Sequence, residues 1–239
     1  MGQQTDNFRR KLIAQDLLVG TFIKTPSPIV AEVLGLTDLD VICVDTEHAP
    51  FGRMETDLCV GALRTADMPS LVRVANDSST EIRNALDSGA SGILVPHVTS
   101  AEQATAIVTA AHFGDGGRGF AGSPRAADYT TKSMSDHIRD SRVQTTIILQ
   151  IEDVAALPHV AQIAAVEGVD ALFVGRADLS VAMDKSVMDK DVVATVQDIC
   201  VAAQSVGTTV GMFTPELEEI PDWRDRGASL FLLSSDQSM

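Results

Sequence analysis

The chain has 239 residues, 45% of them hydrophobic, which is material for one sizeable core. Acidic residues outnumber basic ones 33 to 18, a formal net charge of −15, so the surface repels phosphate backbones and nucleic acid is excluded as a partner. Three cysteines (Cys43, Cys59 and Cys200) form no C-x-x-C pair, which argues against a disulfide scaffold and a zinc finger; with no signal-peptide run near the start and no apolar stretch of membrane-spanning length, a cytoplasmic protein is expected.

Residues 18–23 (LVGTFI) are the first of eight short apolar runs. This run continues into KTPSP, not into the G-x-G-x-x-G turn of an open dinucleotide-binding sheet. Residues 40–44 (DVICV) follow, then a helix over 53–66 with Met54, Leu58 and Leu63 at near-helical spacing. The run 70–74 (SLVRV) leads to a helix over 78–87, and 92–96 (GILVP) to a helix over 100–111, with Ser100 as its N-cap and Glu102 in its first turn. Residues 112–142 make an unusually long connection, which marks a candidate functional loop. Beyond it come 145–151 (TTIILQI), a helix over 153–166, 171–175 (ALFVG), a helix over 189–205, 208–213 (TTVGMF) and 229–234 (SLFLLS). Gly89, Gly168, Gly207 and Gly227 each stand between a helix and the next run, where a C-terminal glycine belongs.

Most of these runs are apolar at successive positions, as in strands buried on both faces of a parallel sheet. Strand and helix alternating eight times predict a (β/α)₈ TIM barrel, one domain over residues 1–239. Few residues follow the eighth run, so the last helix of a standard barrel is expected to be truncated.

Barrel chemistry sits at the C-terminal strand ends. The second run ends at Asp45 and continues Thr46, Glu47, His48. The third carries Arg73, whose buried guanidinium needs a ligand or an internal partner such as Asp45. Gln150 and Glu152 are two apart and share a face. Asp178 follows the neighbouring strand, behind Gly175, Arg176 and Ala177. Two carboxylates from adjacent strands, with positions left open for water and substrate oxygens, suit Mg²⁺ or Mn²⁺ better than zinc. Taken singly, Glu152 and Asp178 also read as ordinary acidic residues at helix starts. His48 lies three residues past Asp45, which could orient its imidazole; His97, His112, His137 and His159 lack such company.

Six segments together carry a resemblance. They are DTEHAPF (45–51), Arg73, SGILVPHV (91–98), GGRGFAG (116–122), LQIED (149–153) and VDALFVGRADLS (169–180). From about residue 18 onward the chain resembles the HpcH/HpaI aldolase family. That resemblance implies a metal-dependent aldolase joining or separating a pyruvate unit and an aldehyde, and a homo-oligomer, hexamer or trimer. It implies Glu152 and Asp178 as ligands of Mg²⁺ or Mn²⁺, with Co²⁺ a further candidate. Arg73 would stabilise the enolate, His48 oriented by Asp45 would act as base through water, and Gln150 would hold the metal shell. The backbone N–H groups of Ala177 and Asp178 would receive the keto-acid carboxylate, and Phe213 would face the aldehyde. Arg176 stands where many members have proline; its charge would favour more acidic substrates.

Three other readings are open at this point. A citrate-lyase-β or malyl-CoA-lyase type enzyme shares the barrel and two acidic ligands, but no adenine or pantetheine site is evident. A Schiff-base aldolase would need a strand-end lysine, and Lys24 is the only one. A non-catalytic barrel that binds a keto acid is the third.

Overall fold

The computed structural model describes residues 3–238, and side chains from residue 7 onward. Eight parallel strands close in sequence order: β1 (Leu18–Ile23), β2 (Val41–Asp45), β3 (Ser70–Arg73), β4 (Gly92–Val95), β5 (Thr146–Ile151), β6 (Ala171–Val174), β7 (Thr209–Thr214) and β8 (Leu230–Ser235). Each lies within one residue of the apolar run that foretells it. β8 returns to pair with β1, with an irregularity between Gly20 and Phe22.

The expected helices appear as α3 (Arg53–Thr65), α4 (Ser79–Asp87), α5 (Ala101–Ala111) and α9 (Lys190–Gln204), the last three started by side-chain caps from Ser78, Ser100 and Asp189. The expected helix over 153–166 is instead a 3₁₀ turn, Val154–His159, running into the short α7 (Val160–Ala164). Pro158 lies in that turn and removes a backbone donor. The four inter-element glycines all adopt positive φ, 82° to 103°, which a side chain would resist.

Four further helices are not evident in the sequence pattern, α1 (Gln3–Ile13), α2 (Pro28–Gly35), α6 (Met134–Gln144) and α10 (Ile220–Asp225), while α8 (Arg176–Ala182) begins where Asp178 reads as a helix start. α6 lies mostly inside the supposed loop 112–142, capped by Ser133, which accepts from the Asp136 N–H. The rest of that connection is also anchored, by the buried Arg118 paired with Asp87 and stacked 4.6 Å from the Phe113 ring centroid. After β8, residues 236–238 form a turn.

The core divides into two shells. Ile42, Val44, Ile147 and Leu149 face outward and pack against the helices. Leu18, Phe22, Val41, Cys43, Leu71, Leu94, Ile148 and Phe173 face inward and fill the barrel. α1 closes the N-terminal end of this inner shell: Phe8 and Leu12, one turn apart, are buried in it. Thr209 Oγ1 donates to the Leu12 carbonyl at 2.6 Å, and Arg9 donates to Asp170, just ahead of β6, at 2.8 to 3.1 Å.

Leu12 has no exposure. Leu12→Ala is therefore expected to cost about 2–5 kcal/mol through lost burial and a residual cavity, read as a lower midpoint in urea unfolding. A midpoint equal to wild type would show that α1 does not seal the barrel.

Candidate active site

Strand alternation decides which side chains reach the C-terminal mouth. Cys43 and Leu71 face inward, so Asp45 and Arg73 do too. Ile148 faces inward, which carries Gln150 and then Glu152 to the same face. The mouth holds a cavity of about 490 Å³ lined by Phe22, Lys24, His48, Arg73, Gln150, Phe173, Gly175, Arg176, Ala177, Asp178 and Phe213, among others. None of residues 112–142 lines it, so the connection that read as a functional loop takes no part in this cavity.

Asp45 and Arg73 form the centre of the site. Arg73 Nε donates to Asp45 Oδ1 at 2.9 Å and Nη2 to Oδ2 at 2.7 Å, with both side chains nearly or fully buried. Asp45 Oδ1 also accepts from the backbone N–H groups of Glu47 and His48, at 3.2 and 3.1 Å. Burial alone would raise the Asp45 carboxyl, but hydrogen bonding to Arg73 and its charge outweigh that and hold it below the ordinary range. The same pairing raises Arg73 against the cost of its own burial.

This geometry differs from one expectation. Asp45 bonds the His48 backbone N–H and the Arg73 guanidinium, and no hydrogen bond joins it to the His48 imidazole among the described residues. The His48 ring is about half exposed, and its nearest carboxylate is Glu47, with Nε2 3.7 Å from Oε2.

Glu152 is 2% exposed. Its Oε2 accepts from Gln150 Nε2, and its Oε1 accepts from the His97 backbone N–H at 2.8 Å. Gly175 is required beside it, since a Cβ there would lie 2.6 Å from Glu152 Cβ and 2.8 Å from Oε2. Burial raises the Glu152 carboxyl, and the nearby negative charge of Asp178 pushes it the same way.

His97 is a second correction: it does have acidic company. Its Nδ1 is 3.3 Å from Glu152 Oε1 and 3.1 Å from Asp153 Oδ2, and its Nε2 is 3.5 Å from Glu47 Oε1. Partial burial opposes its charge, but these carboxylates raise its pKa above the ordinary value. Glu47, His97 and Glu152 place ligand atoms within 4.8 Å of one another, a group able to hold a metal ion. Glu47 Oε2 is buried without a hydrogen-bond partner. That oxygen lies 3.4 Å from Arg73 Nε; a crowded carboxylate pair with an oxygen lacking a hydrogen bond is chemistry that a divalent cation relieves, and the imidazole makes the donor set less purely oxygen than the carboxylates alone indicated. His97 escapes sequence reading because it leaves β4 with φ +57°, a turn with no strand or helix period. Glu47 was legible in principle, two residues past Asp45 and so on its face.

Arg176 lines the cavity and is paired through one of its nitrogens. It is 5% exposed, with Nη2 2.7 Å from Glu219 Oε2 and 2.9 Å from the Phe213 carbonyl, and it stacks 5.0 Å from the Trp223 centroid. Glu219 thus pairs with Nη2, while Nε and Nη1 are buried with no hydrogen-bond partner among the described residues. Ala177 and Asp178, in the first turn of α8, line the cavity, as does the exposed Phe213, whose ring lies 6.3 Å from that of Phe22.

A closed parallel barrel with carboxylates and a paired arginine at its C-terminal mouth defines an enzyme of the TIM-barrel class. The profile of the HpcH/HpaI aldolase/citrate lyase family matches residues 18–238, and the chain belongs to that family. It is 35% identical, over 94% of its length and 89% of the relative's, to 2-dehydro-3,6-dideoxy-6-sulfogluconate aldolase of Pseudomonas putida. It is 31% identical, over 99% and 94%, to hydroxypyruvate/pyruvate aldolase of Paraburkholderia phytofirmans. Among solved structures, an HpcH/HpaI aldolase/citrate lyase family protein from Burkholderia cenocepacia superposes with TM-score 0.92 at 29% identity, covering 98% of this chain and 94% of that one. The chain is accordingly a carbon–carbon lyase of the aldolase type.

Asp45→Asn removes the bidentate partner of a buried guanidinium, leaving Glu47 Oε2 3.4 Å from Nε, and is expected to cost about 3 kcal/mol. The Asp45 carboxyl is depressed in the fold, so its contribution is complete above the unfolded carboxyl's titration and is lost as pH falls through the lower, folded value. Urea midpoints measured from neutral to acid pH should fall more steeply for wild type than for the variant; parallel curves would remove Asp45 from this role.

Proposed function

We propose that this chain is a class II pyruvate aldolase that cleaves or forms the bond between a pyruvate unit and an aldehyde in a 4-hydroxy-2-keto acid. The observation that carries this reading is the Arg73 fork. Two of its nitrogens are locked on the buried Asp45, while Nη1 makes no hydrogen bond among the described residues and belongs to a side chain that lines the cavity. Such a preset donor suits negative charge that appears only during reaction.

Glu152 would hold the divalent cation, Mg²⁺, Mn²⁺ or Co²⁺, with Asp178 on one side of it and Glu47 and His97 on the other. When bound, the cation supplies Lewis acidity toward the oxygens of the keto acid. Gln150 holds the Glu152 carboxylate through Oε2. The first-turn N–H groups of Ala177 and Asp178, unpaired by helix geometry, would receive the keto-acid carboxylate.

In the cleavage direction, His48 takes the proton of the 4-hydroxyl, directly or through water. The C3–C4 bond breaks, the aldehyde leaves, and the electron pair moves through C3 to the C2 oxygen as an enolate. Arg73 donates to that oxygen. Protonation at C3 then gives the methyl group of pyruvate. Phe22, Phe173 and Phe213 form the apolar wall of the cavity and limit water around the aldehyde.

No helix of the described residues is long and apolar enough to cross a membrane. Three free, buried cysteines fit the reducing cytoplasm. Ile29, Val33 and Leu36 near α2, with Met54 and Leu58 on α3, are exposed apolar residues that suit a homo-oligomer, trimer or hexamer.

The reading is tested by deuterium exchange into the pyruvate methyl group, followed by NMR, which needs no knowledge of the aldehyde. Exchange should require Mg²⁺ or Mn²⁺, stop with EDTA, disappear in Glu152→Gln and fall about 10²–10³-fold in Arg73→Ala, the scale for losing one charge-stabilising donor. A folded, metal-supplied wild type without exchange would overturn it.

A further inference from the structure

The proposed reaction gives no part to Arg176, a buried guanidinium at the cavity wall. A single nitrogen, Nη2, donates both to the Phe213 carbonyl at 2.9 Å and to Glu219 Oε2 at 2.7 Å. Those acceptors stand at the two ends of segment 213–219, which leaves β7 and turns into α10. The guanidinium also stacks on Trp223 of α10, 5.0 Å from the ring centroid. Its Nε and Nη1 are buried without a hydrogen-bond partner among the described residues. An arginine buried in this way is a poor device for stability, since a well-packed apolar side chain avoids the cost of the unsatisfied donors. What it supplies instead is geometry: a planar, always-charged fork that fixes two acceptors at once.

The clamped segment carries one wall of the cavity. Phe213, Pro215 and Glu219 all line it. The Phe213 ring lies 6.3 Å from that of Phe22, and the Arg73 guanidinium lies over Phe22, 4.7 Å from its centroid. The wall therefore runs without a break from the Arg176 clamp to the Arg73 donor. Within the segment, Pro215 has no N–H to give, and Thr214 Oγ1 is buried without a hydrogen-bond partner among the described residues. Loops that leave a barrel strand move more readily than the strand itself, so a bond at each end of this one decides where its apolar side chains stand.

We propose that Arg176 is a specificity-determining positioning residue: by clamping Phe213 to Glu219 it fixes the wall between β7 and α10, and so limits the length of the apolar chain that the aldehyde partner can carry. This deepens the aldolase reading and rests on it. Arg176 acts through the segment it holds. Its one paired nitrogen serves the Phe213 carbonyl and Glu219, so its role is to shape the wall, in place of the selection of acidic substrates that its charge suggests in the sequence.

The test is aldol addition of pyruvate to propanal and to hexanal, with Mg²⁺ supplied, in wild type, Arg176→Met, Glu219→Ala and the double variant. The ratio of kcat/KM for hexanal to that for propanal cancels any loss common to both aldehydes. It should rise about tenfold in each single variant, the scale of one methylene in an apolar pocket. It should rise no further in the double variant, because both substitutions open the same clamp. Trp223 is the chain's one tryptophan, so its emission should change in Arg176→Met and report that the stacked contact exists in solution. An unchanged ratio in either single variant, shifts that add in the double variant, or an unaltered Trp223 emission in Arg176→Met overturns the proposal. If Arg176→Met does not fold, the ratio in Glu219→Ala decides alone. Methyl deuterium exchange in wild type without addition to either aldehyde in any variant also overturns the proposal. Absence of that exchange in wild type instead overturns the aldolase reading itself, so the two failures are told apart.

Discussion

Asp45 and Arg73 place two opposite full charges inside the last layer of the barrel, with almost no water around either. Neither could be there alone: an unpaired buried ion costs several kcal/mol, whereas a bidentate pair with further N–H donors offsets much of that cost. The pair sits one layer above Cys43 and Leu71, so it marks where the apolar filling of the barrel ends and polar chemistry begins. Everything nearer the solvent is arranged around it. Asp45 holds the backbone of the D-x-E-H turn, which sets the positions of Glu47 and His48, and it aims the remaining face of Arg73 at the cavity.

The acid excess of the chain takes a local form at the mouth. Glu47, Glu152, Asp153 and Asp178 reach the mouth from beyond β2, β5 and β6, and burial raises Glu152 toward its neutral form. Positive charge is dispersed by contrast: Arg73 and Arg176 each have a carboxylate partner, and His97 stands among three. Such a distribution attracts a cation to one side of the mouth. An anionic ligand enters such a field only where positive charge offsets it.

Stability and chemistry occupy opposite ends of the barrel, as the architecture requires. At the N-terminal end, Phe8 and Leu12 of α1 complete the inner shell, and Arg9 pairs with Asp170. The C-terminal end holds a cavity of about 490 Å³ lined by both apolar rings and charged groups. The long connection 112–142 contributes to stability rather than to the cavity, since it packs Arg118 against Asp87 and supplies most of α6.

The strands were legible because doubly buried parallel strands leave unbroken apolar runs, and closing eight of them allows few arrangements. The inward set at the mouth was partly legible too, since period-two alternation puts Asp45 with Cys43, and Gln150 with Glu152. α1 was not, because two apolar residues one turn apart are no signal without the open barrel end they fill. Nor were the partners of the charged groups. Whether Asp45 meets Arg73 or the His48 ring, whether Arg176 is free or held by Glu219, and whether His97 joins Glu47 and Glu152 all depend on distances between segments far apart in the chain. Local pattern determined the barrel and the residues that ring its mouth; closure of the ring decided which charges neutralise one another and which remain for a ligand, because Coulomb and hydrogen-bond energies fall off over a few ångströms that only the tertiary fold sets.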